Sequence, residues 1–105
     1  MRRSTRRRCT AMALQFRLIE FGRSFATRGR GEELRKELIA RAEDEDVAIL
    51  DFSGVTNVSY SFADEFVGKL AAERTPRVEA ANMSEGVARS VERAVARRSD
   101  ETLAC

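Results

Sequence analysis

Along residues 14–20, LQFRLIE, Leu14, Phe16 and Leu18 alternate with Gln15 and Arg17, the period of two that predicts a half-buried strand. Phe21-Gly22 reads as a turn. Residues 23–28, RSFATR, read as a short returning strand or a loop leading into Gly29-Arg30-Gly31, where glycine tolerates unusual backbone angles. The period then lengthens. From Glu32 to about Glu45, Leu34, Leu38, Ile39 and Ala42 recur at helical spacing, with Glu32 and Glu33 placed to favour the positive end of the helix dipole. VAILDF, residues 47–52, is a continuous apolar run too short for an ordinary helix, and it predicts a central parallel strand buried on both faces.

A turn through Gly54 and Asn57 leads to a second helical stripe of Phe62, Ala63, Phe66, Val67, Leu70 and Ala71, with Asp64, Glu65, Lys69 and Glu73 toward the other side and Ser61 as the expected N-cap. Pro76 separates this helix from RVEAA, a short strand. Ser84 is placed to cap a third helix with Val87, Val91, Ala94 and Val95 on its apolar side. The order β, α, β, α, β, α predicts an α/β fold, a mostly parallel sheet with three amphipathic helices. Neither a repeat nor a linker interrupts residues 12–105, which are expected to form one domain.

Charge divides the chain at its start. Arg2, Arg3, Arg6, Arg7 and Arg8 are five of its 19 basic residues, so the formal charge of +2 conceals an acidic body with 14 basic against 17 acidic residues. Residues 1–11 lack an apolar period and are expected to be a disordered basic tail, or an extension upstream of a start at Met12. As an alternative function, those five arginines would contact nucleic acid through phosphate charge. No segment reaches the roughly 20 apolar residues of a membrane-spanning helix.

Cys9 and Cys105 lie near opposite ends, which fits neither a disulfide framework nor a metal-ligand spacing. A reduced, cytoplasmic setting is expected. The chain has no histidine, so Ser-His-Asp and Cys-His catalysis and His-ligated metals are excluded. Gly29-Arg30-Gly31 lacks the Gly-Lys-Ser/Thr ending of a phosphate-binding loop. Adjacent Asp64 and Glu65 diverge by about 100° on a helix and are not expected to converge on one ligand. Neither an enzyme nor a cofactor or metal site is expected, and a small hydrolase or nuclease ranks last.

Two polar features remain. Ser61 stands before Phe-Ala-Asp-Glu, where Asp64 is spaced to reach back as in a capping box. In an open α/β sheet a serine following the C-terminal end of a central strand also lies where ligands and partners bind. Arg23, Arg28 and Arg30 are candidates to form a charged rim with Asp64 and Glu65, most simply as a solvated face.

The segment VAILDFSGVTNVSYSFADEFVGKL, residues 47–70, resembles the strand, turn and helix of STAS domains, the family of the anti-sigma-factor antagonists. The fuller pattern, EFGRSFATRGRGEELRKEL, then LDFSGVTNVSYSFADEFVGKL, then NMSEGVARSVERAV, more closely resembles the STAS-like domain family of unknown function, over about residues 14–98. The resemblance implies a small STAS-like domain acting as a regulatory protein–protein interaction module. Its implied partner is a histidine-kinase-like ATPase or an anti-sigma-type regulator, and Ser61 falls on the reversibly phosphorylated position. Where the STAS switch usually reads Asp-Ser-Ser/Thr-Gly-Leu, this chain has Ser59-Tyr60-Ser61-Phe62-Ala63. The candidate partner-binding residues are Ser53, Asn57, Ser59, Tyr60, Ser61, Phe62, Asp64, Glu65 and Arg28.

Overall fold

A computed structural model describes residues 13–42, 47–73 and 76–104, the side chains of 99–104 excepted. The alternating segment forms β1 (Ala13–Arg17), with Phe16 buried and Gln15 and Arg17 exposed. Leu18–Glu20 then tightens into a 3₁₀ turn instead of extending the strand, and Leu18 still enters the core. VAILD forms β3 (Val47–Asp51) at the centre of a parallel sheet of order β1-β3-β5, with β5 at Arg77–Ala81.

In register, Phe16, Leu50 and Ala80 lie side by side, as do Gln15, Ile49 and Glu79. The first row joins the core, while Gln15 and Glu79 are exposed. β3 is therefore not buried on both faces. Ala48 and Leu50 are sealed, whereas Val47, Ile49 and Asp51 are half-buried, on the face that also carries Gln15, Arg17, Arg77 and Glu79. The segment RSFATR contributes β2 (Ser24–Phe25), which pairs in parallel with β4 (Asn57–Val58) as a separate two-stranded sheet.

The first helix, α1 (Arg28–Arg41), starts four residues earlier than the apolar spacing suggested. Thr27 supplies the reason: its hydroxyl accepts the Arg30 N–H at 3.1 Å and closes the cap. Gly29 and Gly31 are therefore helical, not loop residues with unusual angles. Leu34 and Leu38 face the core and Ala42 follows them, while Ile39 turns outward with 40% of its surface exposed. Residues 43–46, over which that helix was expected to continue, lie outside the described residues.

The second helical stretch runs from Tyr60 to Glu73 in three parts: α2 (Tyr60–Ala63), a π-turn (Asp64–Gly68) and α3 (Lys69–Glu73). In the π-turn the Lys69 N–H bonds the Asp64 carbonyl, five residues back. All five π-turn residues are buried, including Asp64 and Glu65, which the sequence pattern had turned toward solvent. The cause is position: α1 packs along one side of this stretch and α4 (Glu85–Ala104) along the other. Ser84 caps α4 as expected, its hydroxyl accepting the Val87 N–H at 3.3 Å.

Phe62 is the hub of the core. Its ring stacks on Phe25 at 4.8 Å and meets Phe66 at 5.5 Å, and Phe66 in turn meets Phe16 at 5.9 Å. Such pairs contribute roughly 0.5–1.5 kcal/mol each beyond their buried area. They join β2, the middle helical stretch and β1.

The approach of α1 to the middle stretch requires Gly31. A Cβ there would stand 3.0 Å from the Phe62 carbonyl oxygen and 3.0 Å from the Glu65 Cβ, whereas one at Gly29 meets nothing within 4 Å. Gly31→Ala is therefore expected to destabilise by about 1–3 kcal/mol through overpacking. Gly29→Ala is expected to be neutral or to stabilise by up to about 1 kcal/mol through helix propensity. Urea unfolding of the two variants checks this, and equal stabilities would contradict the close approach.

Candidate functional site

The turn between β3 and α2 is built from the end of the central strand. Asp51 Oδ1 accepts the Ser53 N–H at 2.9 Å and the Asn82 side-chain amide at 3.0 Å. These bonds, that of Asn82 first, hold the Asp51 carboxyl at about 2, below its usual range. Gly54 follows at φ +83°, and a Cβ there would lie 2.9 Å from Ile19 Cδ1. The turn then runs along the segment before α1, with Thr56 N–H bonding the Arg23 carbonyl at 2.8 Å and Ser59 N–H the Phe25 carbonyl at 2.9 Å.

Ser59, not Ser61, caps the helix. The Ser59 hydroxyl accepts the Phe62 N–H at 3.1 Å and donates to the Ala26 carbonyl at 2.9 Å. This ties the N-terminus of α2 to the residue preceding the Thr27 cap of α1. The extended backbone at position 59 (φ −75°, ψ 161°) allows the bond, while Ser61 already lies inside the helix. Among the described residues the half-buried Ser61 hydroxyl has no hydrogen-bond partner. Asp64 does not reach back to complete a capping box, because its carboxylate is held from other helices.

Arg98 of α4 grips Asp64 with a two-pronged contact, Nε to Oδ1 at 2.8 Å and Nη2 to Oδ2 at 2.9 Å. Arg28 of α1 places Nη1 2.9 Å from Asp64 Oδ2 and 3.2 Å from Glu65 Oε1. Arg35, about two turns further along the same face of α1, donates to Glu65 Oε2 at 3.1 Å and to the Glu65 carbonyl at 3.1 Å. Lys69 reaches Glu65 Oε2 at 3.0 Å. The adjacent carboxylates thus do converge on one ligand, Arg28, because a long guanidinium side chain arriving from another helix spans the angle between them.

Arg98, and after it Arg28, hold the Asp64 carboxyl at about 2 against the opposing effect of burial. For Glu65 burial is the largest influence and acts upward, but Lys69, Arg35 and Arg28 together outweigh it and the carboxyl is lowered. Both groups are ionised in the folded protein. A shallow cleft lined by Arg28, Gly29, Glu32, Glu65 and Lys69 opens beside them.

Of the residues proposed for partner binding, Ser53 and Asn57 are exposed, and Ser59, Tyr60 and Ser61 are half-buried. Phe62 is sealed in the core, and Asp64 and Glu65 retain only 8% and 5% exposure. Tyr60 carries the Arg93 guanidinium 5.4 Å over its ring and accepts Arg97 Nη1 at 3.2 Å. Arg30 is engaged away from the rim, with Glu33 and the Phe21 carbonyl. Arg23 contributes its backbone carbonyl to the turn. Arg35, Lys69 and Arg98 were missed; only Lys69, four residues after Glu65, carried a local signal. Arg2, Arg3, Arg6, Arg7 and Arg8 lie outside the described residues. Among the described residues no group of His, Cys, Asp and Glu is arranged to hold a metal, and no helix is long and apolar enough to cross a membrane.

The family model described as STAS-like domain of unknown function (DUF4325) matches residues 30–88, from the first turn of α1 to the first turn of α4. The chain belongs to this family. No curated protein and no solved structure shows a significant match. The matched segment of the STAS-like domain holds the turn, Ser61, both carboxylates, Arg35 and Lys69, while Arg28 and Arg98 flank it.

The carboxylates give the STAS-like domain a pH dependence of definite sign. Because their folded values are depressed, their contribution is complete above the ordinary carboxylate range and is lost as pH falls through the folded values, about 2 for Asp64. For Asp64 the linkage is on the order of 2 kcal/mol. Unfolding free energy measured in urea between pH 5 and pH 2 is expected to fall more steeply for the native chain than for Asp64→Asn. Parallel curves would contradict the assignment.

Proposed function

We propose that this STAS-like domain is a non-catalytic regulatory module that docks a protein partner on the turn 53–61 and is switched by phosphorylation of Ser61. The observation that carries the reading is the state of that serine. Ser59 makes the cap, so helix capping no longer accounts for Ser61, whose hydroxyl is half-exposed and has no partner among the described residues. The turn also follows the C-terminal end of the central parallel strand, where α/β sheets recognise ligands. The lack of histidine favours a module without chemistry of its own.

On the pattern of STAS modules, the partner carries the kinase, in the manner of a histidine-kinase-like ATPase. Ser61 Oγ attacks the terminal phosphorus of a nucleoside triphosphate held by that partner. The new O–P bond forms as the bond to the diphosphate leaving group breaks, and the hydroxyl proton passes to a base of the partner. The product adds about −1.5 to −2 charges to the docking surface. That change of potential alters recognition without rebuilding the fold.

Stability and recognition are expected to separate at the two serines. Ser59→Ala is expected to lose about 1 kcal/mol of capping stability, and Ser61→Ala to stay within about 0.5 kcal/mol of the native chain. In affinity capture from the source organism, Ser61→Ala is expected to retain a partner that Ser61→Asp loses, with phosphate found on native Ser61 by mass spectrometry. Equal capture by both variants together with an unmodified Ser61 would contradict the proposal.

A further inference from the structure

The first turns of α1 and α2 lie side by side. Ala26 and Ser59 are joined by a hydrogen bond of 2.9 Å, Gly31 abuts the Phe62 carbonyl, and Arg28 bonds both Asp64 and Glu65. On α2 and the turn that follows it, position 61 shares a face with positions 64 and 65, three and four residues on. Ser61 and the Arg28 guanidinium therefore converge on the same strip of surface, and the Arg28 side chain is 50% exposed there.

Arg28 is also the replaceable member of the cluster. Both of its bonds to the carboxylates use Nη1, and the rest of its fork has no hydrogen-bond partner among the described residues. Were Arg28 to leave, Asp64 would keep both prongs of Arg98, and Glu65 would keep Arg35 and Lys69. Neither buried carboxylate would be stranded. A guanidinium binds phosphate with two parallel bonds, a stronger arrangement than one nitrogen shared between two carboxylates.

We infer that a phosphoryl group on Ser61 is received within the chain by Arg28, which turns from the Asp64–Glu65 pair to the phosphate. This deepens the reading of Ser61 as a switch and rests on it. Modification then does more than add charge: it reassigns the arginine that links the start of α1 to the middle helical stretch. The charged and titratable groups that the packed elements bring to this region are Asp64, Glu65 and Tyr60 on the same stretch as Ser61, Lys69 on α3, Arg28, Glu32 and Arg35 on α1, and Arg93, Arg97 and Arg98 on α4.

The test installs phosphoserine at position 61 during synthesis of the full chain and follows its second ionisation by ³¹P NMR. An unperturbed phosphoserine titrates at about 6. In the native chain the midpoint is expected about one unit lower than in Arg28→Gln, with Arg28→Lys, which keeps the charge without the fork, recovering part of the shift. The same midpoint in the native chain and both variants overturns the inference. Because the phosphate is installed beforehand, that failure would leave partner docking at Ser61 standing, and a partner indifferent to Ser61 would leave the titration result intact.

Discussion

Two neighbouring carboxylates removed from water have to be neutralised, and in this STAS-like domain the cations come chiefly from outside their own helix. Asp64 is held by α4 through Arg98, Glu65 by α1 through Arg35, and Arg28 touches both. An ionised carboxylate left unpaired at that depth costs several kcal/mol, so the pairing is a condition of packing and not a decoration of it. It also fixes the two flanking helices against the middle stretch from opposite sides. The small residues answer to the same constraint: Gly31 admits the backbone of the middle stretch, and at Gly68 a Cβ would stand 3.2 Å from Asp64 Oδ1 and 3.3 Å from Arg98 Cγ.

The π-turn makes this arrangement possible. Five consecutive buried residues cannot all face one apolar neighbour, but a stretch wedged between two helices and lying over the sheet has neighbours on several sides. Phe66 and Val67 enter the core while Asp64 and Glu65 meet the arginines. Local π geometry is often found where a helix serves a function. Here it lies one turn after Ser61. Ser59 completes the connection by capping α2 while bonding the residue that precedes the cap of α1.

Much of the architecture was legible because it follows from local periodicity. The alternation around Phe16 and the stripe of Val87, Val91 and Ala94 each correspond to an element with the expected core residues, and the apolar run at 47–52 supplies the expected central strand, though it is sealed on one face only. The family resemblance drawn from SFADEF and its surroundings also holds. What local pattern could not give were long-range substitutions for solvent. Asp64 and Glu65 read as a wet helix face because acidic residues usually are one; their burial depends on Arg35 and Arg98, about thirty positions away on either side. The cap was misplaced by two residues because Ser59 and Ser61 are equally good capping types, and the choice is made by the Ala26 carbonyl across the turn. The early start of α1 was hidden by two glycines, one of which is there for packing and not for flexibility.

If the carboxylate–arginine lock organises the domain, Asp64 and Arg98 are coupled energetically as well as in space. A double-mutant cycle of Asp64→Ala and Arg98→Ala, measured by urea unfolding at neutral pH, tests this most directly. A coupling of about 1–3 kcal/mol is expected, with the double variant less destabilised than the sum of the single ones. Strict additivity, with a coupling indistinguishable from zero, would contradict it.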